Sequence, residues 1–322
     1  MSTLGRFARS QDGRITLVFL LVLAVQAVLV PRFTGSAGNI FIRAAADGLV
    51  ALGLMTVILQ GELDLSVGST LALAGTLTVG LANDLGYPAA VAVTVVAGTL
   101  VGIVNGLIVT RAHVNSFIGT LGTMVAVRGL AFVYTGGLPL SGPSLDAAVA
   151  FSSPFIWELT PRALVMLSVA ALLGLFLARA HIGRDLYAVG GNREAAAAAG
   201  IPVERRIWLG FIISGGCAAL AGALVAIELN TGSPVLGVQT VLIAITAIVI
   251  GGTSLTGGRG SAYGTLIGIL ILAALAVGLN LARVPSSHQQ VITGAILVAV
   301  VLADQVRARP RWFASLVARA GS

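Results

Sequence analysis

Asp64 is the residue best placed to do chemistry in this 322-residue chain, because it sets a carboxylate between two strongly apolar runs. It stands in Gly61-Glu62-Leu63-Asp64-Leu65-Ser66-Val67-Gly68, with a second carboxylate, Glu62, two residues before it. A comparable interruption runs from Gly251 to Ser261, where seven of eleven residues are glycine or serine. Both carry Gly-x-x-x-Leu-Ser/Thr-x-Gly and both follow an apolar run, the mark of an internal repeat. Irregular backbone at membrane depth is tolerated only where protein or a water-filled cavity satisfies its polar groups. Paired, glycine-broken segments therefore point to a transport site. The polar side chains beside the breaks are Asp64, Ser66, Asn105, Asn115 and Thr120. They are expected to line or support a solute pathway, replacing water around hydroxyl groups while holding them weakly enough for release. Asp64 has a second reading as a helix cap that accepts N–H bonds near Val67. Asn105 and Asn280, both inside apolar runs, have a second reading as interhelical hydrogen-bonding groups.

Other chemistries find little support. His113, His181 and His288 have no ligand-type spacing, and the single Cys217 excludes a disulfide framework. There is no lysine, so a Gly-x-x-x-x-Gly-Lys-Ser/Thr phosphate loop is impossible and any ATP must be hydrolysed by another polypeptide. No cofactor is expected on this chain, and no nucleophile–base pair suggests an enzyme. An ion-coupled carrier needs titratable groups deep in its bundle, whereas Asp47, Glu62, Asp64 and Glu228 fall near the ends of apolar runs. The net charge of +7 comes from arginines in short loops and tails, the pattern of topology signals rather than of a nucleic-acid partner.

The elements that must hold these residues are membrane helices. Hydrophobic residues make up 57% of the chain, charged residues only 10%, and mean hydropathy is +1.00. A soluble domain carries about 25% charged residues, and one spanning helix takes about 20 apolar residues. The fold class is therefore all-α, a polytopic bundle with broken or re-entrant segments surrounded by membrane lipid. Ten spans are expected, at 15–30, 44–60, 66–83, 88–110, 116–134, 163–178, 207–227, 238–252, 263–282 and 289–303, the shorter ones broken or tilted. The first has no small-residue cleavage site and is not expected to be a removable signal. Gly98, Gly102 and Gly106, and likewise Gly260, Gly264 and Gly268, recur at a spacing of four and predict close helix packing. With the N-terminus inside, fourteen of nineteen arginines fall on the cytoplasmic side. Arg32, Arg43, Arg162 and Arg283 fall outside, and Arg128 lies within a span. That bias predicts both termini in the cytoplasm, with tails at 1–14 and 307–322 around a permease domain at 15–306.

Several motifs in fixed order give a more specific reading. These are Asp64–Ser69, Gly102–Gly106, Asn115–Met124, Arg128–Ala131, Gly190-Gly191-Asn192 and Gly251–Ser261. Through them the chain resembles, from about Phe33 to Asp304, the permease subunits of bacterial ABC importers for ribose and related sugars. Glu62 departs from that pattern, which usually has isoleucine there. The resemblance implies an inner-membrane permease working with ABC ATPase subunits, a periplasmic or lipid-anchored solute-binding protein and a second permease copy or paralogue. Relatives carry other sugars, polyols, nucleosides or branched-chain amino acids. The resemblance also gives a role to the cytoplasmic loop 179–206. There Glu194-Ala195-Ala196-Ala197-Ala198-Ala199-Gly200 resembles the segment that docks on the ATPase, with Gly191, Asn192, Glu194, Ala195, Ala196 and Gly200 as its core. The residues themselves agree, because alanine is the strongest helix former, Gly200 is placed to end the helix and Pro202 opposes its continuation.

Overall fold

Where the chain leaves an apolar run, a small polar residue usually starts the next helix. The computed structural model describes residues 10–308; most of the tails expected at 1–14 and 307–322, namely residues 1–9 and 309–322, lies outside them. Helix α1 (Gln11–Leu29) begins at Ser10, whose hydroxyl accepts from Gly13 N–H at 3.0 Å. After a 3₁₀ turn at Thr34–Ser36 comes α2 (Ala37–Ile58). From Gly48 to Ile58 every residue of α2 is buried. A helix apolar on all sides belongs at the centre of a bundle, and α2 is that centre. Helix α3 (Val67–Thr110) is continuous in name only, because Gly86 takes φ 73° and Pro88 follows it. Thr78 Oγ1 donates to Thr94 Oγ1 at 3.1 Å. Sixteen residues of straight helix would separate those groups by about 24 Å, so α3 folds back on itself as two arms. Those arms match the separate spans expected at 66–83 and 88–110.

Helix α4 (Ser116–Thr135) is capped by Asn115 and closed by Gly136 at φ 61°. A two-residue ladder pairs β1 (Leu140–Ser141) with β2 (Thr231–Gly232). Between these lie α5 (Leu145–Ser152), α6 (Pro161–Arg179), α7 (His181–Gly191), α8 (Arg193–Ala198) and α9 (Val203–Glu228). The chain continues through α10 (Thr240–Ile250), α11 (Ala262–Leu281) and α12 (Ser286–Ala308). The architecture is thus an all-α bundle, and among the described residues seven helices are long and apolar enough to cross a membrane. The span expected at 238–252 is shorter than a crossing. Helix α10 has 11 residues and rises about 16 Å, roughly half the hydrocarbon thickness, before the Gly251–Ser261 interruption begins.

The glycine rows do what close packing requires. A Cβ on Gly102 would overlap the Phe211 carbonyl of α9, and one on Gly215 of α9 would overlap the Gly98 carbonyl. Gly264 and Gly268 stand in the same way against Gly251 and Ala247. Gly260 is an exception to the expected row. It precedes the cap Ser261 and sits outside α11. Asn280 is also displaced from its expected mid-span position, being exposed in the last turn of α11.

The polar ends of the helices sort onto two faces. On one, Gln11 Nε2 donates to the Gly252 carbonyl at 2.6 Å, Arg206 pairs with Asp185 at 2.9 Å and Arg111 with Glu204 at 3.3 Å. On the other, Arg162 pairs with Glu228 and Tyr87 donates to Asn230 Oδ1 at 3.2 Å. Arg128 reaches out of α4 to donate to the carbonyls of Pro234 and Leu236, at 2.5 and 2.6 Å.

Candidate functional site

Between α2 and α3 the helical ladder stops at Leu59 and resumes at Val67, and the segment between must find partners elsewhere. Leu63 N–H donates to Ser116 Oγ at 3.1 Å and Leu65 N–H to Thr120 Oγ1 at 3.1 Å, both on the first turns of α4. The Asp64 carboxylate occupies the middle. Its Oδ1 accepts from Ser66 N–H at 3.0 Å, Ser66 Oγ at 2.6 Å and Asn105 Nδ2 at 3.3 Å. Its Oδ2 accepts from Ser214 Oγ of α9 at 2.8 Å. Asn105 Nδ2 also donates to Ser66 Oγ at 2.8 Å, and its Oδ1 accepts from Thr123 Oγ1 at 2.7 Å. Asp64, Ser66, Asn105, Thr120 and Ser214 are each at most 1% exposed. Asp64 thus accepts from the backbone N–H of Ser66, the residue that precedes α3, as its reading as a helix-start acceptor expects, and it ties both arms of α3 to α9. Through Asn105 the same group reaches Thr123 of α4.

Four of the five expected pathway residues are therefore together. Asn115 is apart: it is exposed, and its side chain caps α4 by accepting from Phe117 N–H at 2.9 Å. Ser214, Ser116 and Thr123 belong to the cluster without having been named as site residues. Ser116 and Thr123 fall within the Asn115–Met124 motif, whereas the one sequence signal of Ser214 is a hydroxyl inside an apolar helix, which is too common to select it.

The two repeated interruptions touch. Gly258 N–H donates to the Leu59 carbonyl at 2.8 Å, and a Cβ on Gly257 would overlap Gly61 N. Their positive φ angles, 87° for Gly257 and 75° for Gly258, suit the tight turn that this approach requires. The third party to the junction is the end of α7. A Cβ on Gly190 would overlap the Leu59 carbonyl, and Tyr187 donates its hydroxyl to the Gly260 carbonyl at 3.0 Å.

The segment expected to dock a partner grows from that junction. Loop 179–206 is largely helical, as α7, α8 and the start of α9. Asn192 caps α8, its Oδ1 accepting from Ala195 N–H at 2.9 Å. Gly200 ends the turn at φ 82°. Ala196 is buried against a small cluster of Val57, Val109, Val189, Ile207 and Phe211. Gly191, Asn192, Glu194, Ala195, Ala197, Ala198, Ala199 and Gly200 are exposed, so α8 presents a small-residue surface on a fixed root. Glu62, the residue whose role the sequence left open, completes the root. Arg193 Nη2 bonds Glu62 Oε1 at 2.5 Å and the Gln60 carbonyl at 3.2 Å. Glu62 is 7% exposed. An ion pair therefore joins the first residue of α8 to the break that holds Asp64. Among the described residues no group of three or more His, Cys, Asp or Glu could hold a metal ion.

The family model described as "Branched-chain amino acid transport system / permease component" matches residues 36–301. The ribose import permease protein RbsC of Haemophilus influenzae is 36% identical over 307 residues, 94% of each chain. RbsC of Bacillus subtilis is 37% identical over 292 residues, 89% of this chain and 90% of its own. The D-allose transport system permease protein AlsC of Escherichia coli K12 is 34% identical over 294 residues, 90% of each. No solved structure matches.

Proposed function

This chain belongs to the permease-component family of branched-chain amino acid transport systems, and on that premise we propose that it is the membrane subunit of an ATP-driven importer of a ribose-like monosaccharide or polyol. Relatives named for ribose and allose import, similar along about nine-tenths of the chain, support the sugar reading. ATP is hydrolysed by partner subunits, a separate binding protein delivers the solute, and a second permease copy or paralogue completes the pathway.

The observation that carries this reading is the construction of α8: exposed at its tip, and fixed at its root to the 59–66 break through Arg193, next to the end of α7 that packs on both breaks. A small-residue helix fits closely into a groove on another protein, and its burial at Ala196 resists independent movement. Closure of the ATPases pushes α8, and Arg193 passes the push to Glu62 and the 59–66 segment. The Asp64 network then shifts α3 and α9, with α4 following through Thr123. Such a network moves between discrete arrangements rather than bending continuously, and nucleotide binding selects between them through its different affinity for each. In this scheme Asp64, Ser66, Asn105 and Thr120 support the pathway from within the protein, and Asn115 stands exposed at the start of α4.

The face carrying α8 is then cytoplasmic, along with both termini. Cysteines at Ala198, and separately at Asn230 on the opposite face, check this directly in a background with Cys217 replaced by alanine. An impermeant maleimide is expected to label position 198 only from the cytoplasmic side and position 230 only from outside. Labelling of both from one side overturns the topology.

A further inference from the structure

We propose that the crevice between α2, α10, α11 and α12 is an outer binding vestibule for a neutral polyhydroxylated solute, built on Arg43, Asp47, Gln239, Gln290 and Thr293. It rests on the permease reading and adds to it a place on this chain where the solute is held. The cavity is about 310 Å³ and is lined by Arg43, Gln239, Gln290 and Thr293 among others. A second space of about 40 Å³ shares Arg43, Ile243, Leu272, Ala276 and Thr293 with it and reaches Asp47. Asp47 is 8% exposed, accepts from Thr240 Oγ1 at 2.9 Å and lies 3.8 Å from the Arg43 guanidinium.

Depth and chemistry are graded along this crevice. Gln239 precedes the first turn of α10 and Gln290 lies in the second turn of α12, so amides ring the mouth on the face of Glu228 and Asn230. Thr293 is one turn further in, and the walls are leucine and isoleucine. A lipid chain has no use for amides, hydroxyls and a guanidinium–carboxylate pair, and polar groups inside a membrane bundle ordinarily face its interior or a water-filled cavity. A pocket of mainly apolar walls with a few convergent polar groups is the usual form of a small-molecule site. A sugar suits it, with hydroxyls for the amides and the ion pair and a C–H face for the aliphatic walls. Because Arg43 and Asp47 face each other, their charges balance locally. A zwitterionic amino acid would have to separate them. Among the described residues the lining contains no aromatic ring on which a nucleobase could stack.

The test uses the complete importer in membrane vesicles, with Cys217 replaced by alanine and single cysteines at Gln290 or Thr293. The impermeant cation methanethiosulfonate ethyltrimethylammonium is added from outside, and ATP-driven uptake of D-ribose is compared with the same variant before treatment. The expected result is modification at both positions with at least tenfold loss of uptake. Modification only by a lipid-soluble maleimide would show a lipid-facing crevice, and modification with unchanged uptake would show an inert one; either overturns the proposal. As a second measurement that does not depend on these cysteine variants folding, Gln239→Ala, at a position outside the helices, should lower uptake about threefold or more. Its ATPase subunits should still co-purify. Unchanged uptake in that variant also counts against the vestibule. Uptake by the unmodified complex separates the two readings, because an inert crevice leaves ATP-driven uptake intact whereas a chain that is no permease supports none.

Discussion

Alanine in place of Asp64 is expected to lower uptake at least tenfold and to cut the thermal stability of the purified permease. The carboxylate accepts from four groups on three helical segments, Ser66 N–H, Ser66 Oγ, Asn105 Nδ2 and Ser214 Oγ. All are buried, so no water takes over. A buried donor left without a partner costs about 1–3 kcal/mol. Asn105 Nδ2 retains Ser66 Oγ, which leaves the two hydroxyls and one backbone N–H to find new acceptors. The total is roughly 3 kcal/mol or more, enough to separate the arms of α3 from α9. Asp64→Asn keeps the shape and one carbonyl acceptor, and its losses should be clearly smaller. Uptake assays and melting of the two variants in detergent check the order. Equal behaviour of Asp64→Ala and the unaltered chain would mean that the network neither holds the bundle nor transmits motion.

The second large effect is expected at Arg193. Its alanine variant leaves Glu62 with little solvent and no counter-ion, and removing one member of a buried pair is far more damaging than removing both. Arg193 is itself 48% exposed, so solvent weakens the attraction and the direct stability loss is only about 1–2 kcal/mol. The functional loss should be greater, because the pair is the charged link between α8 and the Asp64 segment. Solute-stimulated ATP hydrolysis should fall about tenfold in Arg193→Ala. Adding Glu62→Ile removes the stranded carboxylate, and the double variant should recover part of that loss. A double-mutant cycle gives the coupling. If the two substitutions simply add, the pair is a surface contact without a transmitting role.

Much of this arrangement was legible in the residues. Apolar runs located the helices, and a row of glycines every fourth position announced a close helix contact on the second arm of α3, though not that its partner is α9. The two interruptions were visible as glycine clusters holding Asp64 and Ser254. Their meeting at Leu59 and Gly258 was not visible, because about 190 residues separate them and only tertiary packing brings them together. Glu62 stood out as a departure from an expected isoleucine, yet its partner lies 131 residues away. Asn115 was read as a pathway residue because it sits in a polar motif beside a break. Its side chain closes a helix end, a use that residue type favours strongly and that the reading did not include. The short α10 was expected to be broken or tilted, but its 11-residue length was not legible, since an apolar run shows composition but not the point at which the backbone leaves the helix. The Arg43–Asp47 crevice depends on how four helices from both ends of the chain lean together, and no local pattern encodes that.

In the proposed function α8 is the part that receives work from an ATPase. The most direct measurement is ATP-driven uptake of labelled D-ribose by liposomes holding the purified importer with Ala197→Arg. Ala197 is exposed, so a bulky charge there spares the bundle and alters only the surface offered to a partner. Gly200→Val serves as a companion, since Gly200 is at φ 82° and a β-branched residue is strained there. Permease that inserts and melts normally, yet loses solute-stimulated ATP hydrolysis and uptake together by tenfold or more, is the expected result. Unchanged hydrolysis and uptake in both variants would contradict it and leave α8 as a plain connection between α7 and α9.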